Sequence, residues 1–263
     1  MKREKIRSTK SILLFALLIF IMLSTGCATN QSARKNGAAI IPATKPVAEY
    51  VRSDVDYPID AYDPWEGFNR HMYIFNYYFD KYLFLPVVGA YEWIMPDYLE
   101  DRISGIFKNF SELRNFTNNL LQLKGKGTII TTGRVLVNST IGLAGMYDPA
   151  SKWGMPVQKE DFGQTLGHYG VGAGPFLVLP VFGPSTLRDT TGLVFDTAVH
   201  AAVMNWALDD VNNKTEIKLG INLLGAIDER HRMPFRYYQS GSPFEYDYIR
   251  KFYLEKRLMD IAK

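Results

Sequence analysis

The segment Met72–Leu85, MYIFNYYFDKYLFL, constrains the fold of this chain more than any other. Seven of its fourteen residues are aromatic, and apolar groups fall on every side of a helical wheel. A helix of that kind is either buried all round or packed against lipid. Pro86 is expected to stop it, because proline has no N–H for the helix ladder. Asp63-Pro64 reads as its opening, with Asp as N-cap, Pro in the first turn and Glu66 near the positive end of the dipole.

Downstream, Ile103, Ile106, Phe107, Phe110, Leu113, Phe116, Leu120 and Leu121 recur at steps of three and four. That spacing predicts an amphipathic helix, closed by Gly125 and Gly127. Thr128–Gly142 carries Ile129-Ile130 and Val135-Leu136-Val137, whose β-branched side chains leave helix and strand in competition. From Gly170 to Pro184 the chain reads as a loop, punctuated by Gly170, Gly172, Gly174, Pro175, Pro180 and Pro184. Phe176–Leu179 sits inside it as a short apolar run. Leu193–Leu208, Thr215–Arg230 and Tyr246–Leu258 return to helical spacing. The expectation is a mainly α fold without internal repeats. No interior run reaches the roughly 20 unbroken apolar residues of a membrane-crossing helix. The broad, aromatic, Pro- and Gly-broken stretches suit helices lying at a membrane interface, or helix–Pro–helix hairpins.

The charge distribution belongs to export. The chain carries 30 Lys+Arg against 27 Asp+Glu, a net +3. Lys2, Arg3, Lys5, Arg7 and Lys10, with Glu4, lie in the first ten residues, so the remainder carries −1. Twelve unbroken apolar residues follow, Ile12–Leu23. A basic start, a short apolar stretch and small residues after it make a secretory signal. The single cysteine comes next, in Leu23-Ser24-Thr25-Gly26-Cys27, which resembles the lipobox of bacterial lipoproteins. Ser24 stands where an aliphatic residue is usual. The other reading is a plain cleaved signal with an incidental thiol. Acylation of Cys27, with no Asp at Ala28, implies sorting to the outer membrane. Residues 28–62, rich in Ala, Asn, Ser, Thr, Lys and Pro, read as a flexible tether or as an arm packed on the domain. The expected organisation is a signal peptide at 1–26, a lipidated tether at 27–62 and a helical domain at 63–263.

Motifs of catalysis are weak. Gly170-Val171-Gly172-Ala173-Gly174 lacks the spacing of a nucleotide loop and runs into Pro175. Around Lys126, Leu120 and Gly127 stand where a phosphate-binding loop needs Gly and Ser or Thr. No G-x-S-x-G elbow occurs. His71, His168, His200 and His231 show no i,i+4 pairing. Asp161, Asp189 and Arg188 are the remaining acid–base candidates. With −1 on the mature chain, nucleic acid is not an expected partner. Neither a metal nor a cofactor is implied.

The segment Asp63-Pro-Trp-Glu-Gly-Phe-Asn-Arg70, with Phe75-Asn76, resembles the opening DPxEGFNR…FN of the VacJ/MlaA family of outer-membrane phospholipid-transport lipoproteins. Asn115–Leu120 (NFTNNL), Asn138–Gly142 with Gly145 and Asp148-Pro149-Ala150, Glu160–Gly167, and Gly170-Val171 through Arg188-Asp189 continue the resemblance in order. Asp228–Arg230, Tyr248–Arg250 and Arg257 extend it to the C-terminal helices.

That resemblance implies a ring of amphipathic helices in the inner leaflet of the outer membrane. Phospholipid misplaced in the outer leaflet would enter a channel through the ring and pass to a soluble periplasmic carrier, which keeps the membrane asymmetric. A trimeric porin would be the membrane partner, and no enzyme activity is implied. Phe75, Asn76 and the Gly170–Pro184 segment are the channel or gate candidates. One alternative is a tethered periplasmic hydrolase acting on lipid or cell wall through groups such as Asp161 and His168; another is a structural lipoprotein or porin accessory that moves no lipid.

Overall fold

The computed structural model describes residues 44–46 and 63–263. The expected signal peptide, Cys27 and, except for residues 44–46, the tether lie outside the described residues. Nine α-helices and one β-hairpin follow Asp63 among the described residues.

The first helix, α1 (Glu66–Phe79), does not stop at Pro86. It passes through a π turn, Asp80–Phe84, into α2 (Leu85–Ile94), with Pro86 in the first turn of α2. The wider turn brings the Leu85 N–H to the Asp80 carbonyl, so the ring of Pro86 is accommodated at a new helix start. Buried Asp80 is held there by Arg230, Nε to Oδ1 at 2.6 Å and Nη2 to Oδ2 at 2.7 Å. Asp63 is not an N-cap: that position is Trp65, without a side-chain cap. The Asp63 carboxylate instead accepts from Asn69, Tyr246 and Arg250, tying the chain ahead of α1 to the last helix.

Helix α3 (Asp97–Leu121) and α4 (Gly125–Thr140) form a helical hairpin. Leu123, with φ +58°, makes the turn, so Gly125 and Gly127 open α4 rather than close α3. Gly127 is required by close approach, since a Cβ there would overlap Asn119 Oδ1. The competition over Thr128–Gly142 resolves as helix. Short α5 (Pro149–Lys152) is capped by Asp148, and α6 (Phe162–His168) by Asp161. The expected loop contains an antiparallel hairpin, β1 (Phe176–Leu179) and β2 (Gly183–Thr186), with Phe176 opposite Thr186 and Leu179 opposite Gly183. Thr186 caps α7 (Leu187–Ala207) by accepting from the Asp189 N–H. Helices α8 (Lys214–His231) and α9 (Glu245–Ile261) complete the chain.

The apolar core is small. Tyr73, Phe176, Val178 and Tyr246 bury one another where α1, the hairpin and α9 meet. Tyr73 makes edge contacts with Tyr237, Tyr238 and Tyr246 at 5.0 to 5.8 Å and donates to Glu245 at 2.8 Å. Elsewhere the interior is polar. Among the described residues, twenty-five polar or charged side chains are buried, against eight apolar ones. Large apolar side chains lie outside, including Trp93 at 87% and Trp206 at 82% exposure. Amphipathic α3 turns Glu100, Ser104, Glu112, Asn115, Asn118 and Asn119 inward and leaves Leu120 and Leu121 exposed. Among the described residues, no helix is long and apolar enough to cross a membrane.

Candidate functional site

Asn69 and Asn76 stand two turns apart on α1, on the face that meets β1. Asn69 donates to the Phe176 carbonyl at 3.0 Å and accepts from the Val178 N–H at 2.8 Å. Asn76 repeats the pattern further along, donating to the Leu179 carbonyl at 2.9 Å and accepting from the Val181 N–H at 2.7 Å. Two buried carboxamides thus pair the outer edge of β1, where a neighbouring strand would otherwise be needed. The second one fixes an unusual turn. Val181 has φ +70°, a region that β-branched residues seldom adopt. Beyond it, Phe182 stands 71% exposed at the hairpin tip.

The expected gate residues separate into two groups. Around the hairpin, Asn76 is buried and holds the tip, while Phe75 is 44% exposed and stacks on Phe79. Pro180 and Pro184 flank the tip, with Pro184 opposite Val178. Gly174, at φ +69°, and Pro175 lead into β1, and the Pro175 carbonyl accepts from the Leu187 N–H at 3.0 Å. Gly170 and Gly172 belong instead to the exposed turn after α6, where a Cβ would meet nothing.

A second feature was not singled out in the sequence. An open cavity of about 1160 Å³ lies between α3, α4, the 145–159 segment and the end of α8. Its lining includes none of the gate candidates. Ile141, Met146, Val157 and Met233 share the wall with Glu112, Asn115 and Asn138. Arg134 organises the polar side. It donates to Glu112 at 2.6 Å, Ser151 Oγ at 3.0 Å, the Met155 carbonyl at 2.7 Å and Asp148 at 3.1 Å. Burial would raise the Asp148 carboxyl, but hydrogen bonds from Ser151, Asn138 and Arg134 bring it down to about 2. The recurring motif positions Asn138, Gly145, Asp148 and Pro149 carried a signal for this wall. Glu112 and Arg134 carried none, because their pairing exists only once α3 and α4 meet.

The acid–base candidates lie in a structural knot. Arg257 of α9 grips Asp161 with two hydrogen bonds at 2.7 and 2.9 Å, and Asp189 with two more at 3.0 and 2.8 Å. Burial pushes the Asp161 carboxyl up, but Arg257 and the Gln164 amides outweigh it and hold it at about 2. Asp189 is lowered for the same reason, chiefly by Arg257 against burial. A carboxylate so held is a poor general base. His168 is exposed at the end of α6, against Tyr169. Among the described residues no cluster of metal-ligating side chains occurs.

A family model described as MlaA lipoprotein matches residues 61–260, from ahead of α1 into the last turn of α9. This chain belongs to the MlaA lipoprotein family. A Rickettsia conorii protein named only as uncharacterised is 34% identical over 183 residues, covering 68% of this chain and 70% of the relative. The intermembrane phospholipid transport system lipoprotein MlaA of Haemophilus influenzae is 34% identical over 201 residues, covering 75% and 71%. The Escherichia coli protein of that name is 32% identical over 167 residues, covering 59% and 66%. A solved structure described as "Structural basis for maintenance of bacterial outer membrane lipid asymmetry" superimposes with TM-score 0.58 at 27% identity. It covers 76% of this chain and 100% of its own. The mainly α architecture of this MlaA family member agrees with that likeness. So do the ordered motifs, which fall on the asparagine clamp, the polar seam of α3 and the Arg257 knot.

Proposed function

We propose that this chain is an outer-membrane lipoprotein that takes up phospholipid misplaced in the outer leaflet and passes it to a soluble periplasmic carrier, maintaining lipid asymmetry. One observation carries the reading: the helices turn their polar faces inward and their large apolar side chains outward. In water that distribution forfeits hydrophobic stabilisation; against acyl chains it does not. The names of the Haemophilus and Escherichia relatives support the same reading.

The chemistry of transport fits the geometry. Exposing two acyl chains, roughly 30 methylenes, to water costs about 24 kcal/mol at about 0.8 kcal/mol each. A path must therefore offer apolar contacts to the tails beside polar contacts to the headgroup. The cavity between α3, α4 and α8 carries both. No bond changes, so neither a nucleophile nor a metal is required. Direction comes from the partners, since a passive path only equilibrates.

In this reading residues 63–263 form a ring in the inner leaflet, tethered through 27–62 to an acylated Cys27 after removal of 1–26, with a trimeric porin beside it. The hairpin tip, with Phe75, Asn76, Pro180 and Pro184, and its approach through Gly170, Gly172, Gly174 and Pro175, acts as the gate. Deleting the gene should raise surface phospholipid, measured by labelling intact cells with an amine reagent that cannot cross the membrane. The wild-type chain should restore the low level, and Cys27→Ala should not. Unchanged surface phospholipid in the deletion strain would overturn the reading.

A further inference from the structure

We infer that the cavity between α3, α4 and α8 prefers phospholipids whose headgroup carries a net negative charge over zwitterionic ones. The inference rests on the function proposed above and adds the headgroup class. Seven of the lining side chains are Lys or Arg and four are Asp or Glu. What matters is which of them remain uncompensated.

Two of the carboxylates are already engaged, because buried Glu112 and exposed Asp148 both accept from Arg134. Asp101 faces Arg102 at 4.0 Å, and Arg232 sits against Asp228 at 2.5 Å. Lys108, Lys152 and Lys159 have neither an ion pair nor a side-chain hydrogen bond among the described residues, and all three are exposed at the cavity. Glu229 too lacks an ion pair among the described residues, but it is one carboxylate against three lysines, and with Asp228 counted the acidic groups are five against seven basic ones. Apolar neighbours such as Ile141, Met146 and Val157 form part of the same wall, which weakens screening and focuses the field.

A zwitterionic headgroup brings an ammonium with its phosphate. What its phosphate gains from the lysines, its ammonium partly loses. A phosphate next to an uncharged glycerol gains without that loss. Glu112 and Asp148 could favour an ammonium, but Arg134 offsets one of their two charges from within the wall, and the three lysines outweigh the charge that is left.

The test uses the purified full chain, stripped of lipid and exchanged against vesicles of equal phosphatidylglycerol and phosphatidylethanolamine with identical acyl chains. Bound lipid is then quantified by mass spectrometry. The wild type should be enriched in phosphatidylglycerol roughly fivefold, the ratio given by about 1 kcal/mol, the upper range for one exposed ion pair. Lys108→Gln, Lys152→Gln and Lys159→Gln combined should bring the ratio in the lipid that remains bound near that of the vesicle. The same change at Lys251, Lys256 and Lys263, which lie outside the cavity, should leave the enrichment intact.

Equal proportions on the wild type would overturn the inference, as would enrichment that survives the cavity variant or is lost equally in the α9 control. Saturable binding of inorganic phosphate to the lipid-free chain, lost in the cavity variant, together with equal lipid proportions on the wild type would also overturn it, by showing a site for free phosphate rather than for lipid. Binding of neither lipid would remove the proposed function itself, an outcome distinct from binding without preference.

Discussion

Replacing Asn76 by alanine should free the hairpin tip without disturbing the rest of the fold. The side chain supplies two hydrogen bonds to the β1 edge, at 2.9 Å to the Leu179 carbonyl and 2.7 Å to the Val181 N–H. Each is worth about 1 kcal/mol net, and more if the backbone group left behind stays dry. The left-handed strain at Val181 is common to wild type and variant and cancels, so the difference comes from the two hydrogen bonds and from the desolvated groups they leave. Local opening should therefore become easier by about 2–4 kcal/mol, or roughly 30- to 1000-fold in amide exchange. Hydrogen-exchange mass spectrometry on the lipid-reconstituted protein reads this directly in peptides covering 176–186. Peptides from α3 and α4 serve as the internal control. Phe75→Ala, next in the chain but exposed, should lose only its contact with Phe79 and change exchange by less than about fivefold. If Asn76→Ala moved exchange over 176–186 no more than Phe75→Ala does, the clamp would not be what holds the hairpin.

Arg257→Met should cost about 3–5 kcal/mol near neutral pH by stranding Asp161 and Asp189. The Asp161 carboxyl is lowered to about 2 from an ordinary 3.8, so its contribution is present above about pH 4 and lost as pH falls toward 2. Denaturation at pH 7, 5 and 3 should accordingly show the gap between wild type and variant closing on the acid side. Gly127→Ala should destabilise by about 1–3 kcal/mol through overlap with Asn119, whereas Gly125→Ala, with open space around it, should be neutral or mildly stabilising. Melting curves of the pair separate steric necessity from helix propensity. Val181→Gly should raise the melting temperature slightly, relief of left-handed strain exceeding the backbone entropy cost of about 0.5–1 kcal/mol.

Local signals in the sequence determined much of this protein. The three-and-four spacing along 103–121 produces a helix, and Asp148 and Asp161 cap the helices that follow them. The ordered motifs pointed to the family that the match over residues 61–260 shows, and several of them mark contacts made in this fold. Boundaries were less legible. Pro86 looked like a stop and became a helix start, because a π turn braced by Arg230, far along the chain, absorbed it. Asp63 looked like a cap and became a tie to α9. Phe176–Leu179 looked like loop, since two strands of four residues declare themselves only when paired. The partnership of Glu112 with Arg134, on which the cavity depends, likewise had no local trace.

What the tertiary structure alone decided is which face of each helix points inward. A repeat of 3.6 residues separates an apolar side from a polar one, but it is blind to which side meets the solvent. In α3 the asparagines and Glu112 went inside, because Thr165, Asp196, Glu160 and Arg134 were there to satisfy their amide and carboxylate groups. Burial of a polar group is tolerable only when such partners converge from elsewhere in the chain. Once they converge, the apolar faces are left outward, and the medium they require becomes lipid.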